Sequence, residues 1–247
     1  MITDLIARQG DFLFRWRSYI ILIFLPLGLM TMLSPEFVES RFGAGADWAY
    51  EAACMTLAFA GLAIRMITVG HTPKGTSGRN TAGQLAETLN TSGMYSIVRN
   101  PLYLGNAIIY VAFALFTQDL YFVLLMVLFL VIYLERIIAT EEKFLLARFG
   151  DEYRSWAGRV PAFIPNCSLW TPHTLPFSLR NVLRREYSGF FGIIAAMVFF
   201  HYAREAMAEG ETIMGLGWMA LLAFGAVVYV LLRTLKKRTT ILDVAGR

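Results

Sequence analysis

The chain has 247 residues, of which 57% are hydrophobic and only 16% are charged. A soluble domain carries about 25% charged residues, so this composition excludes an ordinary water-soluble globule. The net charge of +4 is not accompanied by a basic, aromatic-rich polar face, and the sequence therefore gives no support for a nucleic-acid partner. We expect an integral membrane protein.

Long apolar stretches predict the helices that cross the membrane, because about 20 residues span a hydrocarbon core about 30 Å thick. In chain order these stretches are Ser18 to Pro35, Trp48 to Val69, a helical hairpin between Arg99 and Glu135 that turns at Thr117 to Asp119, Tyr187 to Ala203, and Thr212 to Leu232. The sequence therefore predicts an all-α bundle of about six transmembrane helices. We expect one membrane domain over residues 1–247, with a C-terminal helical pair at 187–232.

Basic residues are distributed unevenly between the predicted loops. Of the 22 lysines and arginines, 19 fall in alternate loops and the two chain ends. Loops rich in Lys and Arg tend to stay cytoplasmic, so both termini are predicted to face the cytoplasm of a multi-pass protein, with a bacterial inner membrane as the setting. Such a basic surface suits anionic lipid headgroups. Arg65 lies inside a span, near enough to its cytoplasmic end to extend its charge into water.

Cysteine and histidine are scarce. Cys54 is predicted on a span and Cys167 in a cytoplasmic loop, which argues against a disulfide framework. His71, His173 and His201 have no metal-ligand spacing, so no metal site is predicted.

The first polar motif is the run from Gly93 to Gly105. Pro101 suits the first turn of a helix, because its missing N–H would be unpaired there. The helix N-terminus then presents free amides and the positive end of its dipole beside Arg99, an arrangement that favours an anion. A role as membrane-interface anchors stays open for Arg99 and Tyr95.

The second polar motif is a predicted cytoplasmic amphipathic helix at 135–149, which Gly150 ends. Glu141 falls in the middle of its apolar face and Glu142 at the edge of that face. Arg136, Thr140 and Lys143 lie on the opposite face. A carboxylate on a buried face costs several kcal/mol unless it is paired or functional. Three interpretations stay open: a binding site, a structural ion pair with Arg99, Arg65 or Arg148, or a helix rotated so that Glu141 is in water.

Together the two motifs resemble the isoprenylcysteine carboxyl methyltransferase and phospholipid methyltransferase superfamily of integral membrane enzymes. The run from Gly93 to Gly105 is similar to the family signature G-x-Y-x-x-x-R-H-P-x-Y-x-G. Glu141 to Tyr153 is similar to the block E-E-x-x-L-x-x-x-F-G-x-x-Y. The resemblance covers about residues 91–165, a methyltransferase-like catalytic core. Asn100 stands where the family usually has histidine, and this argues against acid–base catalysis at that position.

The resemblance implies an enzyme that uses S-adenosylmethionine and releases S-adenosylhomocysteine. Arg99 and the helix amides suit the cofactor carboxylate, Glu141 or Glu142 suits its ammonium, and tyrosines suit the adenosine or sulfonium region. The predicted catalytic residues are Arg99, Glu141 and Glu142. The predicted cofactor-binding residues are Tyr95, Val98, Arg99, Asn100, Pro101, Leu102, Tyr103, Gly105, Glu141 and Glu142.

The expected methyl acceptor is a lipid or lipidated molecule that reaches the site from the bilayer. Polar and basic residues around the motifs favour an anionic headgroup oxygen, either phosphate or carboxylate, of which a lipid A phosphate is one example. The predicted substrate-binding residues are Arg65, Arg79, Asn80, Gln84, Tyr153 and Trp156. The sequence leaves the acceptor and any oligomeric assembly open.

Two other functions compete with this interpretation. Membrane sterol or steroid reductases that use NADPH show a similar arginine-led turn and acidic helix. A non-catalytic transporter is expected to show inverted repeats or broken helices at mid-membrane, whereas the polar motifs here lie at one surface.

Overall fold

The computed structural model describes residues 2–17, 19–33, 36–73, 75–76, 86–209 and 214–247. Its helices are α1 (Ile2–Trp16), α2 (Leu25–Thr31), α3 (Phe37–Phe42), α4 (Ala44–Gly70), α5 (Met94–Ile97), α6 (Pro101–Phe116), α7 (Leu120–Phe149), α8 (Asp151–Ala157), α9 (Leu179–Arg204) and α10 (Leu216–Arg238). Short 3₁₀ helices lie at Ile20–Phe24 and Cys167–Leu169, and a π-helical turn at Glu205–Glu209 continues α9. The described residues contain no strand, which confirms the predicted all-α fold.

Four of these helices, α4, α7, α9 and α10, are long and apolar enough to cross a membrane. Residues 9–16 and 20–31 form a fifth span only if they act together, and they meet at an angle of 85°. Helix α6 has 16 residues, or about 24 Å at 1.5 Å per residue, which is shorter than a hydrocarbon core of about 30 Å. The prediction of six full spans is therefore not confirmed for the described part of the chain.

Helices α6 and α7 form the predicted hairpin. Asp119 ends the turn and caps α7, since its carboxylate accepts a hydrogen bond from the Phe122 N–H at 2.7 Å. Helix α7 then continues without a break to Phe149. The separate cytoplasmic amphipathic helix is therefore not confirmed, because residues 135–149 are the last turns of α7.

Helix α1 packs closely along the end of α7. A Cβ atom on Gly10 would lie 2.0 Å from Thr140 Oγ1 and 2.2 Å from the Arg136 carbonyl oxygen, so only glycine fits at this contact. Thr140 is consequently 6% exposed. The face of α7 that the sequence places opposite Glu141 is thus partly covered by protein.

The main hydrophobic core lies between α4, α6 and α9, with Met32 added from the α2 end. Its buried members are Met32, Cys54, Ala58, Leu62, Ile109, Ala112, Phe116, Ile193, Met197 and Phe200. A Cβ on Gly61 would lie 2.6 Å from the Gly105 carbonyl oxygen, so glycine allows α4 and α6 to approach closely. This contact fixes the start of α6, which carries the first polar motif.

The polar loops meet at one end of the bundle. The Ser178 N–H donates to the Gly70 carbonyl at 2.9 Å, and the Gly93 N–H donates to the Thr171 carbonyl at 2.9 Å. The Arg247 guanidinium also donates to the Gly70 carbonyl, at 2.7 Å. The loops that were predicted to be cytoplasmic therefore share one surface, while the orientation of that surface in a membrane stays a prediction.

The opposite end of the bundle holds a buried polar network. Arg204 is 3% exposed and lies 2.7 Å from Glu36. His201 lies between two carboxylates, with Nδ1 2.8 Å from Glu51 and Nε2 3.1 Å from Glu205. These contacts pair acidic side chains within the bundle and join α3, α4 and the end of α9.

Candidate active site

The backbone of the first motif is fastened to the loop that follows α8. The Arg99 N–H donates to the Pro161 carbonyl at 2.9 Å. One residue before the end of α5, the Ser96 hydroxyl accepts a hydrogen bond from the Thr171 N–H at 2.9 Å. Both contacts hold the chain just before α6, so the position from which the Arg99 side chain extends is fixed.

Asn100 also holds the motif to this loop. Its Nδ2 donates to the Ala162 carbonyl at 2.9 Å, and its carbonyl accepts the Leu104 N–H at 3.0 Å. Pro101 begins α6, as predicted. The amide that stands in the place of the family's usual histidine therefore has a structural contact, and an amide does not titrate.

The Arg99 guanidinium joins the motif to α7 and α8. Its Nη2 lies 2.8 Å from Glu142 Oε1, and its Nη1 donates to the Ala157 carbonyl at 2.5 Å. Ala157 is the last residue of α8, where a positive charge is favoured by the helix dipole. The Arg99 side chain is 17% exposed. Because its guanidinium binds groups within the protein, Arg99 is not a membrane-interface anchor. Its Nε atom is buried and has no hydrogen-bond partner in the described structure.

The two adjacent acids contact different parts of the first motif. Glu142 forms the ion pair with Arg99, whereas Glu141 accepts a hydrogen bond from the Tyr103 hydroxyl at 2.8 Å. The ion pair that the sequence left open for Glu141 with Arg99 is thus made by Glu142. Both carboxylates lie beside the arginine-led turn: α7 supplies the two acids, the turn supplies Arg99 and α6 supplies Tyr103.

An aromatic cluster closes one side of this arrangement. Tyr153 and Trp156 on α8 are each 5% exposed and pack with Val160, Tyr95 and Phe149. Trp156 Nε1 donates to the Tyr95 carbonyl at 3.2 Å. The Tyr153 hydroxyl is buried and, like Arg99 Nε, has no hydrogen-bond partner in the described structure.

The phenol groups in this cluster are neutral. Burial raises the pKa of Tyr95, and the nearby Glu141 carboxylate raises it further. Burial likewise raises the pKa of Tyr153, with Glu142 adding to the effect. Both side chains therefore stay protonated at physiological pH and cannot act as bases there.

Arg65 lies behind the motif in a buried ion pair. Its Nε and Nη2 donate to the Glu186 carboxylate at 2.9 and 2.8 Å, and its Nη1 donates to Asn106 Oδ1 at 2.8 Å. The side chains of Arg65 and Glu186 are 14% and 3% exposed. The prediction that Arg65 extends its charge into water is wrong, because a carboxylate from α9 neutralises that charge within the bundle.

The predicted site residues fall into three groups: those packed around the motif, those outside the described residues, and those that the structure brings together. Val98 and Pro101 are buried, Leu102 is partly buried, and Gly105 faces the Arg65 stem, which lies 2.6 Å from the position of a Cβ. Arg79, Asn80 and Gln84 lie outside the described residues. The structure brings together Tyr95, Arg99, Tyr103, Glu141, Glu142, Tyr153 and Trp156.

Sequence reasoning missed three residues near the site: Arg17, Asn106 and Glu186. The Arg17 guanidinium lies 4.0 Å above the ring of Phe14, which packs with Tyr103, and it interacts electrostatically with Glu141. No local signal marks Arg17. Glu186 could have been sought, because an arginine inside an apolar helix requires a partner.

A pair of stacked histidines covers the start of the motif. A Cβ on Gly93 would lie 1.9 Å from His173 Nδ1, and the ring of His173 stacks on that of His71 with 3.4 Å between centroids. Burial lowers the pKa of His173, and the neighbouring His71 lowers it further. The folded state therefore binds a proton at His173 less readily than the unfolded chain, whose histidine pKa is about 6.5.

This depressed pKa predicts a stability that depends on pH. The contribution of neutral His173 to the free energy of unfolding is complete above about pH 6.5, the pKa of histidine in the unfolded chain. It is lost as the pH falls from there through the lower pKa of the folded state, because the unfolded state then binds more protons. We expect a lower melting temperature at pH 5.5 than at pH 7.5, and a smaller difference for His173→Phe. Thermal unfolding in detergent measures both. An equal decrease in the two proteins would contradict the assignment to His173.

Comparison with known proteins finds a family that is similar to the segment carrying this geometry. The family model for phospholipid methyltransferases matches residues 48–152. Through this segment, which is less than half of the chain, the protein is similar to the phospholipid methyltransferase family. The match runs from α4 to the first turn of α8 and so includes Arg99, Glu141 and Glu142. This family is part of the isoprenylcysteine carboxyl methyltransferase-like group of membrane methyltransferases, as the two motifs predicted.

The chain is also similar to curated bacterial proteins. It is 32% identical over 129 residues to the cobalt-zinc-cadmium resistance protein CzcN of Cupriavidus metallidurans, which covers 49% of this chain and 59% of that protein. It is 32% identical over 89 residues to the nickel-cobalt-cadmium resistance protein NccN of Alcaligenes xylosoxydans xylosoxydans, which covers 36% of this chain and 41% of that protein. The chain thus spans about half the length of these relatives. No solved structure matches it significantly.

Proposed function

We propose that this chain is an S-adenosylmethionine-dependent methyltransferase that modifies a lipid or lipidated acceptor in the membrane. The observation that carries the proposal is the 2.8 Å ion pair between Arg99 and Glu142, beside the 2.8 Å hydrogen bond from Tyr103 to Glu141. These four residues lie inside the segment that matches a methyltransferase family.

The side chains at the site fit the charged end of S-adenosylmethionine. Arg99 Nε is a buried donor without a partner among the described residues, and a carboxylate would satisfy it through a charge-assisted hydrogen bond. Glu141 and Glu142 place negative charge next to this donor, where an ammonium would bind. Tyr95 presents a neutral aromatic ring, which suits a sulfonium cation.

When bound, the cofactor would supply an electrophilic methyl group attached to a positively charged sulfur. An ionised acceptor oxygen would take that methyl group, and the sulfur would keep the electron pair of the S–C bond. The chain's own residues would hold the two reactants in line and exclude water. The buried Tyr153 and Trp156, with the partly buried Tyr95 packed against them, would form the wall that serves this purpose.

The chemistry of the site favours an acceptor that is already negatively charged. Tyr95 and Tyr153 stay protonated because their pKa values are raised, and Asn100 does not titrate. A phosphate or carboxylate oxygen needs no base to become nucleophilic. We therefore infer that the acceptor is an anionic headgroup at the cytoplasmic side of the membrane, with Arg79, Asn80 and Gln84 as candidate contacts.

The names of the curated relatives concern resistance to metal ions. Methylation of a lipid phosphate or carboxylate removes a negative charge from the membrane surface, and this weakens the attraction of divalent cations. We propose that the same reaction links this chain to metal resistance. Comparing lipids and cadmium tolerance in cells with and without the gene tests that link, and an unchanged tolerance despite a changed lipid would refute it.

Methyl transfer to lipids tests the proposed function directly. Purified protein is incubated with cofactor labelled in the methyl group and with separate lipids that carry phosphate, carboxylate or amine headgroups. We expect label in an oxygen ester of an anionic lipid, and its loss in Glu142→Gln. Label confined to amine nitrogens would contradict the anionic acceptor, and an absence of label in every lipid would contradict the proposed function.

A further inference from the structure

His201 lies where α4, α9 and α10 meet, at the end of the bundle opposite the candidate active site. Its ring nitrogens face two carboxylates. Nδ1 is 2.8 Å from Glu51 Oε1 on α4, and Nε2 is 3.1 Å from Glu205 Oε1 in the π-helical turn that continues α9. The side chains of His201 and Glu51 are 16% and 5% exposed, so the contact between them is largely shielded from water.

These two contacts determine which charge the ring of His201 can carry. An ionised carboxylate only accepts hydrogen bonds, and a neutral imidazole has one donor and one acceptor nitrogen. A neutral ring would therefore point a lone pair at one of the two carboxylates. When both acids are ionised, only a ring that is protonated at both nitrogens donates to both of them. The geometry thus favours a positively charged His201.

Trp218, in the first turn of α10, makes a further contact that suits a cation. Its indole stacks on the ring of His201, with 4.6 Å between centroids and 28° between the planes. A cation within about 6 Å of the centre of an aromatic face is attracted to that face, and most strongly to tryptophan. The indole also meets the ring of Phe116 on α6 edge-on, at 6.4 Å. A charged His201 therefore links α10 to α4 and α9.

The charged side chains described around His201 are mostly acidic. They are Glu36 before α3, Asp47 and Glu51 on α4, and Arg204 and Glu205 at the end of α9. Arg204 pairs with Glu36 at 2.7 Å, and Gln118 Nε2 donates to Asp47 at 2.6 Å. His201 is the positive partner of Glu51, whose buried charge would be costly without one.

We propose that His201 is a pH-sensitive switch that holds the first turn of α10 to α4 and α9 while both of its ring nitrogens are protonated. When one nitrogen releases its proton to water, one carboxylate faces a lone pair and Glu51 lacks its positive partner. The attraction between the ring and Trp218 weakens in the same step. The first turn of α10 then separates from the bundle, while Phe224 and Tyr229 keep the rest of the helix packed on α9.

Trp218 fluorescence tests the charge of His201, because a protonated imidazole that contacts an indole quenches its emission. The chain has five tryptophans, so the Trp218 contribution is the signal lost in Trp218→Phe, measured in detergent on the full chain. At neutral pH we expect this contribution to be weaker in wild type than in His201→Gln. Raising the pH to about 9, below the ordinary titration of tyrosine near pH 10, should increase it toward the level of His201→Gln. Equal contributions at neutral pH, or a wild-type contribution that does not increase, would overturn the proposal.

Two further variants assign the change in fluorescence to this contact. Glu51→Gln removes the carboxylate that faces Nδ1, and the midpoint of the change should move to lower pH by about one unit or more, as loss of an opposite charge within about 4–6 Å predicts. His71→Gln is the matched control, because His71 stacks on His173 at the other end of the bundle, and this variant should behave as wild type. A midpoint that Glu51→Gln leaves in place, or a change that His71→Gln abolishes, would overturn the proposal.

Collisional quenching by acrylamide tests the movement of α10. Trp218 is partly buried, and separation of the first turn would expose its indole to a quencher in solution. We expect acrylamide to quench the Trp218 contribution more strongly at alkaline pH than at neutral pH, and His201→Gln to show the stronger quenching at both. Quenching of the wild-type contribution that is independent of pH would overturn the proposal. Neither measurement uses cofactor or methyl transfer, so its result is independent of the proposed enzymatic function.

Discussion

Arg99→Ala should lower the affinity of the protein for S-adenosylhomocysteine by about 30-fold or more. The variant leaves Glu142 without its partner at 2.8 Å and removes the donor to the Ala157 carbonyl. Truncating one member of a buried, hydrogen-bonded charge pair at a binding site costs about 2–5 kcal/mol, which corresponds to this loss. Isothermal titration calorimetry in detergent measures the affinity.

Controls separate a local effect from unfolding. Arg154→Ala removes an arginine whose ion pair with Asp151 has side chains that are 71% and 92% exposed, so its affinity should match wild type. Melting temperatures establish that each variant is folded. A folded Arg99→Ala protein that binds as tightly as wild type would contradict the assignment of Arg99 to the cofactor site.

Arg65→Met should destabilise the fold by about 3–5 kcal/mol, which is the usual cost of breaking a buried ion pair by removing one partner. The variant leaves the Glu186 carboxylate, whose side chain is 3% exposed, without its two hydrogen bonds from the guanidinium. Asn106 also loses its donor at 2.8 Å. The free energy of unfolding in mixed detergent micelles measures the effect.

A second variant tests whether the uncompensated charge is the cause. Arg65→Met combined with Glu186→Leu should recover much of the lost stability, because it removes both charges together. Arg184→Met is the matched control, since Arg184 pairs with Asp243 near the surface, with 37% and 52% of their side chains exposed. If the double variant is less stable than Arg65→Met, the ion-pair explanation is wrong.

The fold class and the position of the site were predictable from local patterns. Continuous apolar stretches predict helices in a membrane protein, and Thr117 to Asp119 interrupt them where the hairpin turns. Pro101 marks the start of α6 because of its missing N–H. The resemblance of two blocks to one family implied that Arg99 and the acids at 141 and 142 lie together, as the 2.8 Å ion pair confirms.

The sequence did not predict which side chains pair with one another. A helical projection gives the face of a residue to within tens of degrees, which does not decide whether Glu141 or Glu142 reaches Arg99. Arg65 and Glu186 are 121 positions apart, and no periodicity connects them. Their contact depends on how α9 packs against α4, which only tertiary structure reveals.

Two further features depend on long-range packing in the same way. Thr140 is buried because α1 covers α7, although the apolar stripe of α7 is on another face. At the far end of the bundle, the carboxylates of Glu36, Asp47 and Glu51 lie within 4.8 Å of one another. The sequence separates these acids into different elements and gives no sign that they meet.

The most direct test of the central claim is a calorimetric titration of the wild-type protein with S-adenosylhomocysteine and, in parallel, with NADPH. The account predicts saturable binding of S-adenosylhomocysteine that Glu142→Gln weakens, and no saturable binding of NADPH. Saturable binding of NADPH without binding of S-adenosylhomocysteine would contradict it and would favour a reductase.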